Sequence, residues 1–133
     1  MSTLDPRLAA DTAPICDLPL CHVLLMRDAR YPWLILVPHR DGLTELDELT
    51  QEDSAQLMRE IVMATRVMRG FAGVEKVNVG ALGNIVRQLH IHIVGRRAGD
   101  YAWPGPVWGA GRPSAYDPAE LAARLVHFAD RLK

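Results

Sequence analysis

A chain of 133 residues, 49% hydrophobic and 23% charged, has the size and balance of one folded domain and not of a disordered segment. With 15 Lys and Arg against 16 Asp and Glu the net charge is -1, so nothing favours binding a nucleic-acid polymer or an anionic membrane, while a small anionic ligand held by a few aimed donors stays open. No apolar run approaches the roughly 20 residues of a membrane helix. No positive head precedes an apolar stretch at the N-terminus, so the expected compartment is the cytoplasm.

Residues 1–19 read as an N-terminal extension with a helical turn over 5–10, after which Pro14 and Pro19 are expected to interrupt regular structure. Cys16, Cys21 and His22 form a Cys-x4-Cys-His cluster without a second ligand pair, which reads as free thiols in a reducing compartment and not as a zinc site. Residues 21–26 and 33–37 read as two strands joined by the polar turn RDAR and ended by Pro38, hence an antiparallel hairpin. Thr50 is the expected N-cap of a long helix, with Asp53 at its third position. Leu57, Ile61, Ala64, Val67 and Met68 recur at helical spacing, Arg59, Glu60, Arg66 and Arg69 make the expected polar face, and Gly70 and Gly73 bracket the end. Helical spacing also accounts for Met58, Met63 and Met68 without a cofactor. A strand over 74–80 leads into a loop at 81–84 and a further strand over 85–94. A loop rich in Gly, Pro and Trp follows, over 95–116. Asp117, Pro118 and Glu120 then supply an N-cap, a first-position proline and a third-position acid for a helix packed through Leu121, Leu125, Phe128 and Leu132. The fold class is α+β: an antiparallel sheet, a long packing helix and a C-terminal helix, in one domain over 1–133 whose residues 95–133 form the C-terminal loop and helix.

Alternation along the strand IVRQLHIHIV puts Gln88, His90 and His92 on one face and Leu89, Ile91 and Ile93 on the other. Burying such a polar row without partners costs several kcal/mol, so a polar group belongs in front of it. A His-x-His pair can share a metal ion, although zinc normally takes three or four protein ligands and no Asp or Glu lies in the loop just before. It can equally serve phosphoryl or nucleotidyl transfer, in which neutral imidazole attacks phosphorus while a second imidazole and backbone amides hold the developing charge. Two satisfied surface histidines are the bland alternative, and spacing alone leaves all three open.

The segment NVGALGNIVRQLHIHIVGR, residues 78–96, resembles the signature of the histidine triad (HIT) family: an Asn-x-Gly loop, a Gly-Asn step and a strand of alternating histidines, in that order. Upstream, YPWLILVPHRDGLTELDEL resembles the family's core strand, its proline-containing exit and the Leu-rich approach to the long helix. The resemblance covers roughly residues 20–97 and implies a HIT-like fold. It implies a nucleotide phosphate hydrolase or nucleotidyl transferase that forms a covalent intermediate on His90 and releases a nucleoside monophosphate. By the same resemblance His92 contacts the scissile phosphate or the leaving group, Gln88 occupies the first triad position, Asn84 reaches a phosphate oxygen, Gly83 lets the backbone approach, and Asn78 supports the loop at the phosphate site. A small nucleotide substrate, a homodimer, and no metal or other cofactor are implied as well.

The chain departs from the family pattern at Gln88, which cannot titrate, and at Ile85, where members usually carry a Ser or Thr. The loop between Asn78 and Gln88 is about one residue short. His39 stands two positions before the histidine many members place after the proline exit and is a candidate supporting group. Trp103 and Trp108 could stack on a base, cover a neighbouring subunit's site or simply pack against the sheet, and Arg96 could steady a polyphosphate. The departures keep open a nucleotide-binding or regulatory protein with weak catalysis, and the His-x-His pair keeps open a metal protein using His90 and His92.

Overall fold

The computed structural model describes residues 3–133, so the first two residues of the expected extension lie outside it. Five antiparallel strands, β1 (Thr12–Asp17), β2 (Cys21–Met26), β3 (Trp33–Pro38), β4 (Lys76–Gly80) and β5 (Ile91–Arg96), form one sheet in the order β1-β2-β3-β5-β4. Among the described residues three helices accompany it, α1 (Pro6–Asp11), α2 (Gln51–Arg69) and α3 (Pro118–Arg131), with one 3₁₀ turn at Leu46–Glu48. The antiparallel sheet, the long helix and the C-terminal helix are those the sequence pattern predicts.

The caps expected at Thr50 and Asp117 are present, and Asp5 supplies a third. Asp5, Thr50 and Asp117 accept from the backbone N–H groups of Arg7, Asp53 and Glu120 at the starts of the three helices. Strand β1 is the surprise. Pro14 does not interrupt it, because β1 is an edge strand where a missing N–H costs no ladder bond, and the pairing with β2 shifts register between Pro14 and Cys16.

The sheet buries both faces. On one, α2 and α3 cover Val23, Leu25, Leu34, Leu36, Leu89, Ile91 and Ile93 with Leu57, Ala64, Met68 and Phe128. On the other, α1 and the loop after β5 cover Leu24, Trp33, Ile35, Val37 and Val94 with Leu8 and Val107. Among the described residues no helix is long and apolar enough to cross a membrane.

Glu60, expected on the exposed face of α2, is instead fully buried. Its carboxylate accepts from the backbone N–H groups of Leu20 (2.8 Å) and Cys21 (2.9 Å) and from the Gln56 amide, closing the start of β2 onto the helix. Buried N–H donors left without an acceptor are costly, and those donating to a carboxylate make stronger bonds than neutral pairs. Glu60→Ala is therefore expected to destabilise the fold by about 3 kcal/mol in urea unfolding, and a loss under about 1 kcal/mol would sink this account.

Candidate active site

The expected strand over 85–94 begins only at Ile91. Strand β5 pairs with β3 from Trp33 opposite Val94 to Leu36 opposite Ile91 and with β4 as far as Gly80 opposite His92. Beyond those points there is little to pair with: β3 ends at Pro38, which has no N–H, and Gly83 turns the chain at φ +73°. Residues 85–90 thus run as a loop, fastened by Leu89 N–H to the Leu43 carbonyl, with Ile85 76% exposed.

The alternation survives where it matters. Leu89, Ile91 and Ile93 enter the core under α2, which turns His90 and His92 to the opposite side. Both histidines are only 6% exposed, with ring centroids 4.8 Å apart and planes inclined at 66°. Their hydrogen bonds fix different tautomers. His90 Nδ1 lies 2.6 Å from the Gln88 carbonyl, which can only accept, so Nδ1 carries the proton and neutral His90 keeps a lone pair on Nε2. The Trp33 indole N–H donates to His92 Nδ1 at 3.1 Å, so the proton of neutral His92 sits on Nε2. One ring is prepared to attack or accept and its neighbour to donate.

Trp33 carries no sequence signal beyond being apolar on a strand, and sequence reasoning missed it. Trp108 completes the surround, with its ring centroid 5.4 Å from that of His92. A Cβ at Gly80 would stand 3.1 Å from the Trp108 ring, so glycine opposite His92 makes room for the indole.

Two clefts meet at the loop of residues 81–84. One, of about 390 Å³, is largely apolar and is lined by His92, Trp33, Trp108, Val107, Gly83 and Asn84, among others. The other, of about 290 Å³, is more polar and is lined by His90, Gln88, Gly83, Thr44, Glu45 and Asp47, among others. Gly83 and Leu82 border both. The structure thus gathers His90, His92, Gln88, Gly83, Asn84 and Trp108.

It does not gather the rest. Arg96, expected to steady a polyphosphate, is 1% exposed; it pairs with both Asp100 oxygens at 2.8 Å and donates to Asn78 Oδ1 at 2.8 Å. Asn78 is spent on that bond, on the strand opposite Val94, and lines neither cleft. Trp103 lies over the Arg96 guanidinium, also outside both clefts. His39 is elsewhere too, packed at a tilt of 44° against His22 with ring centroids 3.4 Å apart; burial and then His22 lower its pKa. The side chain of Gln88 accepts from the Asp5 N–H (2.7 Å) and donates to the Thr3 carbonyl (3.1 Å), tying the loop to the N-terminal segment.

This fold, with its paired imidazoles beside a glycine loop, is that of a histidine triad protein. A family model described as HIT domain matches residues 7–99, and the chain belongs to that family. It resembles a histidine triad protein from Bradyrhizobium japonicum (44% identity, TM-score 0.96, 99% of this chain and 98% of that one). It also resembles one from Sinorhizobium meliloti (46% identity, TM-score 0.95, 98% and 96%). A curated relative in Mycobacterium tuberculosis, AP-4-A phosphorylase, is 36% identical over 80 residues, 53% of this chain and 40% of that protein, so the match spans well under half of the relative's length.

Burial, and after it the neighbouring His90 ring, lower the pKa of His92 from 6.5 to about 3. The unfolded chain therefore binds one more proton than the folded chain between those values, and stability contributed by neutral His92 falls as pH drops through that window. The slope approaches about 1.4 kcal/mol per pH unit. Urea unfolding between pH 7 and pH 5 is expected to show this acid sensitivity in the wild type and a flatter dependence in His92→Gln; equal slopes would refute the buried neutral imidazole.

Proposed function

We propose that the chain is a nucleotide phosphate hydrolase or nucleotidyl transferase in which His90 forms the covalent intermediate. The observation that carries this reading is the opposite tautomers of the two rings. His90 Nε2 attacks phosphorus as the bond to the leaving group breaks, and the leaving group departs with the electron pair and takes up a proton from solvent. His92 Nε2–H, with backbone N–H groups near Gly83 and the Asn84 amide, holds the charge on the phosphate oxygens. Water then displaces the imidazole, releasing a nucleoside monophosphate and restoring His90. The apolar cleft beside His92, walled by Trp33 and Trp108, suits a nucleoside, and the cleft beside His90 takes the leaving group.

Gln88 stands, on this reading, at the first triad position of a divergent bacterial-type member. Its side chain is engaged with the N-terminal segment, so it takes no part in proton transfer. Asn78 and Arg96 act at a distance, holding β4 to β5 and to the loop that carries Trp108. The catalytic unit is one HIT-like domain, paired as a homodimer. Support for pairing comes from the exposed apolar side chains Met58, Val62 and Val79 on α2 and on the edge strand β4.

Intact-protein mass spectrometry after brief exposure to an adenosine phosphoramidate and to diadenosine polyphosphates tests the mechanism. Wild type is expected to release adenosine monophosphate and to gain one nucleotidyl unit transiently. His90→Asn should show neither, with turnover lower by at least about 1,000-fold. Tight nucleotide binding by wild type without turnover would instead favour the catalytically weak binding protein.

A further inference from the structure

The sheet brings together three metal-capable side chains that lie apart in sequence. Asp17 ends β1, His22 is the second residue of β2, and His39 follows the end of β3. Asp17 and His22 are cross-strand partners, and His22 Nδ1 lies 2.7 Å from Asp17 Oδ1. An ordinary surface hydrogen bond would account for those two. It does not account for His39, whose Nε2 is buried without a hydrogen-bond partner and faces the same carboxylate oxygen at 3.8 Å, too far to bond. A polar nitrogen is thus held against a carboxylate and a second imidazole.

We propose that Asp17, His22 and His39 form a site for one divalent transition-metal ion, with zinc the best match to two imidazoles and a carboxylate. One ligand atom from each residue can be chosen so that all three lie within 4.8 Å of one another. On a tetrahedral zinc, with bonds of roughly 2.0–2.1 Å, neighbouring donor atoms stand about 3.3 Å apart. The distances to Asp17 Oδ1, 2.7 Å and 3.8 Å, bracket that value, so small side-chain rotations would seat the ion. The carboxylate is 67% exposed, which leaves the ion a way in and room for water as the fourth ligand. Neither cysteine competes for it. Cys16 reaches toward the Leu132 carbonyl at the C-terminus of the chain, and Cys21 is buried in the core under α2.

None of the three residues lines either cleft beside His90 and His92, so the site is separate from the histidine pair and does not depend on the reaction proposed there. Bound metal would clip β1, β2 and the chain leaving β3 at the end of the sheet where His90 also lies. The sequence shows no metal ligand set because these donors sit on three segments that only the strand pairing joins.

Zinc titration of chelator-treated protein, read by competition with a chromophoric chelator and by the melting temperature, tests the assignment. Wild type and His90→Asn are expected to take up one equivalent per chain and to melt higher with zinc. His39→Gln should bind at least about tenfold more weakly and lose the shift. No uptake by wild type, unchanged affinity in His39→Gln, or loss of binding in His90→Asn would each overturn the proposal. A measurement on wild type alone covers the case in which the variant fails to fold. Zinc should protect His22 and His39 from acylation by diethyl pyrocarbonate, read by peptide mass spectrometry, and equal acylation with and without zinc would overturn the site.

Discussion

The hydrogen bond from Trp33 to His92 is the constraint on which the arrangement at the histidine pair depends. It crosses from β3 to β5, so it exists only if those strands pair in their observed register, with Ile35 opposite His92. It decides which nitrogen of His92 carries the proton. Burial, and after it the neighbouring His90 ring, keep His92 neutral far below the usual titration range of imidazole. Glycine at position 80 follows from the same constraint, because Trp108 must approach closely to close the other side of the ring.

Packing on the far side of the sheet supplies the orientation. Leu89, Ile91 and Ile93 are drawn under α2 by the burial of their side chains, roughly 1.5–3 kcal/mol each, and the histidines between them have no choice of face. Glu60 serves that packing by holding α2 to the start of β2, and a polar side chain at a helix position facing the core is retained because it satisfies two backbone donors at once. Core packing and site geometry are therefore one problem: a shift of α2 would move β5 and with it both imidazoles.

Much of this was legible in the residues. Period-2 and period-3.6 patterns located β2, β3, α2 and α3, and cap residues set the helix starts almost to the residue. The histidine pair was legible because alternation separates it from three aliphatic neighbours. What escaped had non-local causes. Pro14 looks like a strand breaker unless β1 is known to be an edge, and Glu60 looks like a surface residue unless the approach of Leu20 and Cys21 is known. Arg96 reads as a free cation until Asp100, four residues on, and Asn78, on the next strand, are seen to consume its donors. The strand over 85–94 reads too long because alternation in the sequence continues past the point where partner strands exist.

Gln88 serves twice. Its backbone carbonyl orients His90, and its side chain holds the N-terminal segment through Thr3 and Asp5. Any residue at this position presents a carbonyl, so the tautomer of His90 does not depend on the side chain. A glutamine offers in addition an NH2 donor group and an acceptor oxygen, as a neutral imidazole offers an N–H and an acceptor nitrogen, but without a charge that would change with pH. Its amide therefore gives a fastening for the N-terminal segment that holds across the range in which a histidine would titrate. The lone pair on His90 and the N–H on His92 are set by a carbonyl and an indole, neither of which titrates, so the ground-state geometry of the pair rests on no third imidazole.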